Sequence, residues 1–410
     1  MMLTKVDRRG TGCIKWDRAY LQRLCANPDA EAFWIADMDI ASPAEASQAV
    51  MEIARGGAYG YPAFETLKDD ILGFIKARHG YEADPRGLVI SRGVLMSLAL
   101  LLEGTEGSVV IPFPAYKPFV SICSLQKRQI IQWHLGYDSQ QGRFYLNLDE
   151  LESLLRTHHP GVLVFCSPHN PSGCVWAEDE LKALCMLCKA YGVLIISDEI
   201  HADLVYEGSR HTLMDKVARS LEIDAVTLMA PSKTFNIAGE HFSYCLFSRQ
   251  QRAAWLEGRL AALFCNEPSL VGGTLAHACL TKGGAWLDEA VQLFRDNAAF
   301  IQSYFQSNVP QLRLTSPQAS FICFMDCSAI RKRVSLDAKA FTDLYDPSLS
   351  PEGSELTRFF GIRASCAFNA GSWFGEGYDD FVRFNYATDR NTLERALERI
   401  RKAVSMLPTI

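Results

Sequence analysis

The chain has 410 residues, 48% hydrophobic and 21% charged, with a formal net charge of -6. That length exceeds the roughly 250–300 residues at which a single core stops growing, so more than one domain is expected. The acidic balance without a basic stripe argues against a nucleic-acid-binding protein, and no apolar run approaches the roughly 20 residues of a membrane span.

Residues 1–45 read as an N-terminal arm that joins a smaller domain. The opening Met1-Met-Leu-Thr-Lys-Val-Asp-Arg-Arg-Gly10 lacks the apolar stretch of a secretory signal, so the cytoplasm is the expected compartment. Phe33-Trp-Ile-Ala-Asp-Met-Asp-Ile40 is apolar with two inserted aspartates. Ser42-Pro-Ala-Glu45 carries a helix-start signature, with a capping hydroxyl, proline at the first helical position and an acid in the first turn. It predicts a helix to about Arg55, ended by Gly56-Gly57. The aromatic turn Tyr59-Gly-Tyr-Pro62 precedes a helix from about Phe64 to Arg78.

Residues 46–290 read as a large α/β domain. Gly87–Ser91 is an expected strand, and Arg92-Gly-Val-Leu95 a loop turning into a helix. A helix entered through glycine leaves N–H groups free for a phosphate. Strands follow at Ser108–Pro112, Ile130–Leu135, Gly161–Cys166, Gly192–Ser197, Ile223–Met229 and Ser243–Phe247, with helices opening near Ala115, Asn147 and Asp179. Continuous apolar strands alternating with helices predict a mostly parallel sheet covered on both faces, with its site beyond the strand carboxyl ends. Cys185 and Cys188 form a C-x-x-C inside the helix that runs to Tyr191. No second half-site completes a zinc set, so they read as core packing. The thirteen cysteines are scattered, many in apolar segments, as reduced buried thiols would be.

A long helical stretch covers about Leu275 to Ser307, broken near Lys282-Gly-Gly284. Residues 291–410 read as a smaller α+β domain. Its expected strands are Ser320–Asp326, Gly361–Ala364 and Phe381–Asn385, and its closing helix is Asn391–Val404.

Chemistry gathers at the strand ends. Lys233 follows an apolar strand, where desolvation lowers an amine's pKa and makes it a nucleophile toward an aldehyde. Asn170 lies in Pro168-His-Asn-Pro-Ser-Gly173, Asp198 follows Val193–Ser197, Tyr116 follows Pro112, and Arg383 sits inside an apolar strand. Each alone has a plainer reading: surface lysine, turn residue, cap, core aromatic, surface strand residue. Together they supply an amine for an aldehyde, an acid for a pyridine nitrogen, an amide for a phenolate and an aromatic to stack. Those are the requirements of pyridoxal phosphate used as an electron sink.

The order Tyr116, Asn170, Asp198, Ser232-Lys233 and Arg383 resembles the fold-type I, class I/II aminotransferase family. Further motifs are Trp34-Ile-Ala-Asp-Met-Asp39, Tyr59-Gly-Tyr-Pro62, Ser197-Asp-Glu-Ile-His-Ala-Asp-Leu204, Ser232-Lys-Thr-Phe-Asn-Ile-Ala-Gly239 and Phe374-Gly-Glu-Gly377. With these the chain is similar to the cystathionine β-lyase / cysteine-S-conjugate β-lyase branch. The resemblance implies a large cofactor-binding domain with a mostly parallel seven-stranded sheet, plus the smaller domain built from the C-terminal segment and the arm. It implies that Lys233 bonds the cofactor aldehyde, Asp198 pairs with the pyridine nitrogen, Asn170 with the ring oxygen, and Tyr116 stacks. Gly93, Val94, Leu95 and Ser232 would hold the phosphate, and His201 would also contact the cofactor. Tyr61 would reach the phosphate of a neighbouring subunit, implying a homodimer with shared active sites. Arg383 would clamp the carboxylate of an amino-acid substrate, with Tyr61 and Trp34 beside it.

The resemblance further implies α,β-elimination from an S-substituted cysteine, with transamination onto a 2-oxo acid as the alternative. Many aminotransferases carry an arginine shortly after the lysine; Glu240-His241 stands here, which fits the lyases but departs from their usual uncharged residues. The side-chain pocket is expected near Trp34, Tyr61, Phe264, Phe368 and Trp373. A cofactor-binding transcriptional regulator is the rival class, disfavoured because no basic helix-turn-helix segment is present.

Overall fold

The computed structural model describes residues 3–409. Its centre is a seven-stranded sheet of β1 (Leu88–Ser91), β2 (Val109–Phe113), β3 (Ile130–His134), β4 (Val162–Cys166), β5 (Leu194–Asp198), β6 (Ala225–Met229) and β7 (Ser243–Phe247). The spatial order is β1-β7-β6-β5-β4-β2-β3. Strands β3, β2, β4, β5 and β6 run parallel, and β7 runs antiparallel to both β6 and β1. Strands β2, β4, β5, β6 and β7 are buried along their whole length, as a sheet covered on both faces requires. The edge strand β3 instead alternates, with Gln132 and His134 exposed.

The antiparallel β7 matters for the site. Its amino end lies beside the carboxyl ends of the parallel strands, so the residues just before Ser243 arrive where the residues just after Asp198 and Met229 leave.

A second, four-stranded antiparallel sheet has the order Arg313–Leu314, Ile322–Asp326, Phe381–Asn385, Asn369–Ala370. The arm is tied to this part of the chain. Glu31–Ala32 pairs in parallel with Cys366–Ala367, and the Asn385 amide donates to the Phe33 carbonyl at 2.8 Å. Lys15 and Asp39 form a buried ion pair at 2.9 Å, and the Trp16 indole donates to the same carboxylate. A buried pair of this kind fixes one arrangement more than it adds stability.

Two local expectations are corrected. Gly361–Ala364 is not a strand but the last turn of the helix Glu355–Ala364, capped by Ser354 and burying Leu356, Phe359 and Phe360 at helical spacing; its apolar run was too short to declare a period. Ser42 does not cap the helix Ala44–Gly56, whose N-cap is Pro43; the Ser42 hydroxyl donates instead to the Asn236 carbonyl at 3.0 Å. Lys233 lies in the one-turn helix Pro231–Thr234 that follows β6. Cys185 and Cys188 are fully buried against the apolar cluster under β4 and β5, which is the packing role expected of them. Met1 and Met2 of the arm lie outside the described residues. Among the described residues no helix is long and apolar enough to cross a membrane.

Candidate active site

A cavity of about 630 Å³ opens beyond the carboxyl ends of the parallel strands, lined by Tyr116, Asn170, Asp198, Lys233 and Arg383 together. Three connections, the end of β5 and one strand of the second sheet deliver them, so residues far apart in sequence converge on one volume.

Lys233 Nζ faces this cavity and donates to the Ala36 carbonyl at 2.6 Å. Burial pushes its pKa down to about 8, and the nearby Arg383 charge adds to that, while Asp37 and Asp198 oppose it. A larger share of the amine is therefore neutral at physiological pH than for an ordinary lysine, although the charged form still predominates. Asp198 ends β5 and is 4% exposed. Burial, which outweighs a hydrogen bond from the Ile200 amide (3.1 Å), raises its carboxyl to about 7. Among the described residues no cation pairs with it directly.

Arg383 is central in its strand and 4% exposed. Its Nη1 donates to Asn170 Oδ1 at 3.1 Å, and its Nη2 to Asn369 Oδ1 at 2.7 Å and the Trp34 carbonyl at 3.1 Å. The guanidinium lies 5.0 Å from the Phe374 ring centroid. Its Nε is a buried donor with no partner among the described residues. An orphaned donor on a buried arginine in a cavity is the arrangement that a carboxylate satisfies. Burial lowers this guanidinium to about 10, so it remains charged at neutral pH.

Tyr116 borders the cavity, its hydroxyl pKa raised by burial. Gly93 caps the helix Val94–Glu103 at φ +108, and its amide donates to Ser243 Oγ at 2.8 Å. The first intrahelical acceptor on that turn serves Ser97, which leaves the Val94 and Leu95 N–H groups at the cavity without a helical partner. Ser232 lines the same cavity. Together they form an anion cradle at a helix N-terminus. His201 borders the cavity, is buried, hydrogen-bonds Ser320 Oγ at 3.0 Å, and is held neutral by burial, with its pKa pushed down to about 3.

Not every expected residue is there. Tyr61 is fully exposed and does not reach the cavity of its own chain. Phe368 is corrected: it is a core residue, stacked among Phe33, Phe360 and Phe384 at ring distances of 5.9, 5.2 and 4.9 Å. Phe264 is exposed and outside the cavity, whereas Trp34 and Trp373 line it. Glu240 and His241 do line it, at the amino end of β7. Glu240 accepts from Ser269 Oγ at 3.2 Å. His241 is exposed, and a side chain built on Gly93 would come within 3.6 Å of its Nδ1.

Sequence reasoning missed the Ala36 carbonyl under Lys233, the Asn369 and Phe374 supports of Arg383, and Lys117. The first three come from separate segments of the chain and leave no local signal. Lys117 was visible as a charge directly after Tyr116.

The sequence model described as "Aminotransferase class I and II" matches residues 37–400. The chain is 30% identical over 403 residues to the cystathionine beta-lyase PatB of Bacillus subtilis (strain 168), covering 97% of this chain and 98% of that protein. Among solved structures, a PLP-bound putative aminotransferase from Clostridium difficile 630 superposes with a TM-score of 0.87 at 27% identity, over 98% of both chains. Cystalysin from Treponema denticola, which contains pyridoxal 5'-phosphate, superposes with a TM-score of 0.85 at 27% identity, again over 98% of both.

Proposed function

The chain belongs to the aminotransferase class I and II family, and within it we propose that the protein is a pyridoxal-phosphate-dependent carbon–sulfur β-lyase. It cleaves an S-substituted cysteine, such as cystathionine, to a thiol, pyruvate and ammonia. The observation that carries this reading is the full-length likeness to a cystathionine β-lyase. Transamination is less favoured, and Glu240-His241 stands where many aminotransferases place an arginine.

The residues present fit the cofactor. Asp198 is a buried acid lacking a cation, Lys233 a partly neutral amine, and the Gly93–Leu95 turn with Ser232 an anion cradle. When bound, pyridoxal phosphate supplies an aldehyde for the amine and a protonated pyridine that accepts the electron pair left by Cα–H cleavage. Asp198 would hold the proton on the pyridine nitrogen, Asn170 would bond the ring oxygen, and Tyr116 would cover the ring. Val94, Leu95 and Ser232 would bind the phosphate, with His201 close by. Arg383 would hold the substrate α-carboxylate through its unused Nε, beside Trp34. Lys233 Nζ would then take the proton from Cα. The C–S bond breaks with its electron pair staying on sulfur, and Lys233 would return its proton to that thiolate. The released aminoacrylate hydrolyses to pyruvate and ammonia.

A homodimer is part of this reading. Tyr59 and Tyr61 are large aromatics left exposed on the single chain, which supports a partner's site as their destination. A cytoplasmic location also belongs to it.

The purified protein with pyridoxal phosphate is expected to release pyruvate from S-substituted cysteines without any added 2-oxo acid. Activity that needs a 2-oxo acid and yields a new amino acid would make it an aminotransferase. A second expectation concerns pH. Because only the neutral amine attacks an aldehyde, the initial rate of cofactor uptake should rise about tenfold per pH unit until about pH 8, then level. Levelling near the ordinary lysine value would mean that Lys233 is not desolvated. The measurement is stopped-flow absorbance of cofactor-free protein mixed with pyridoxal phosphate across a pH series.

A further inference from the structure

Lys117 is a cation in this cavity that the reaction above leaves without a task. It is the first residue of the helix Lys117–Leu125, where a positive charge opposes the helix dipole, and no acid shares that first turn. Its Nζ lies 5.1 Å from the centroid of the Trp373 ring. That ring is pinned in turn, because the Trp373 indole donates to the Glu352 carbonyl at 2.8 Å. The ring face attracts the ammonium and holds it in place. Among the described residues no carboxylate pairs with Lys117, although its side chain is exposed on the cavity wall.

The remaining cations there are engaged. Arg92 donates through Nε to the Glu267 carbonyl at 2.6 Å. Lys233 and Arg383 have the roles already given. Arg383 and Lys117 are also supported by adjacent residues: the guanidinium lies over Phe374 and the ammonium over Trp373, in the single turn Gly371–Phe374. One short segment therefore sets two cations on the wall of one cavity. Trp34, Ile35 and Tyr116 add apolar surface to the same cavity, suited to methylene groups.

We infer that Lys117 and Trp373 form a distal subsite for a carboxylate at the far end of the sulfur substituent. The preferred substrates are then S-substituted cysteines with an anionic tail, Arg383 taking the α-carboxylate and Lys117 the second one. This inference rests on the β-lyase reading for its substrate.

The test compares two substrates of nearly equal size, S-(2-carboxyethyl)-L-cysteine and its uncharged amide S-(2-carbamoylethyl)-L-cysteine, on the cofactor-loaded protein. Pyruvate release gives kcat/KM, and the shift of the visible cofactor band on titration gives a dissociation constant that does not depend on turnover. The wild-type protein should favour the carboxylated substrate by about fivefold to tenfold, the scale of a partly screened ion pair. The preference should lie in KM, shrink to near unity in Lys117→Gln and persist in Lys117→Arg. Equal handling of the two substrates by the wild type, or a preference that survives in Lys117→Gln, overturns the subsite. Should neither substrate yield pyruvate, the lyase reading falls. The dissociation constants then decide the subsite: a carboxylate preference lost in Lys117→Gln sustains it, and equal constants overturn it.

Discussion

Replacing Lys233 with alanine is expected to erase the visible absorbance band of the cofactor-loaded protein and to lower kcat by about 10⁴-fold or more. Two functions go at once. The amine that bonds the aldehyde is lost, and so is the base at Cα, with the proton it would return to sulfur. No neighbour can stand in. His201 borders the same cavity, but burial holds its pKa near 3 and its Nδ1 is bonded to Ser320. The fold should not suffer, because Lys233 contributes one hydrogen bond to Ala36 and carries a desolvated charge. Thermal melting of the cofactor-free variant should therefore match or exceed the wild type. A band that survives the substitution would remove Lys233 from its proposed role.

Asp198→Asn is expected to lower kcat by about 10²–10³-fold while the protein still binds the cofactor. The asparagine oxygen can still accept from the Ile200 amide, so the backbone after β5 keeps its course. What is lost is the negative charge that would keep the pyridine nitrogen protonated. The cofactor-free protein gives an independent check. Burial raises the folded-state value of Asp198 to about 7, above its ordinary 3.8. The native group therefore weakens the fold progressively as pH rises above the ordinary value, an effect fully developed above about pH 7. Asp198→Asn should raise the melting temperature of the cofactor-free protein at pH 8 and leave it nearly unchanged at pH 4. A kcat within threefold of wild type would exclude the proposed role, and an unchanged melting temperature at pH 8 would show that the carboxyl is not desolvated.

The contrast between these residues and the missed ones shows where sequence reading stops. Strands β2 and β4–β7 were legible because a strand buried on both faces must be apolar throughout, and that run is local. Asn170, Asp198 and Lys233 were legible because each follows such a run, where parallel strands place their carboxyl ends together. Gly361–Ala364 was misread because four residues cannot declare a period. Phe368 was expected near the side-chain pocket, yet it packs in the core between Phe33 and Phe384.

The order of residue types along the chain settles the α/β class, the covered sheet and the set of groups able to serve pyridoxal phosphate, because each depends on a run of neighbours. The direction of β7 does not follow from its sequence. It depends on pairing with β1 and β6, and that pairing carries Glu240 and His241 to the cavity. Likewise the raised pKa of Asp198, the lowered pKa of Lys233 and the orphaned Nε of Arg383 arise from burial among distant segments. Desolvation and hydrogen-bond supply are properties of a volume, which only the packed chain defines.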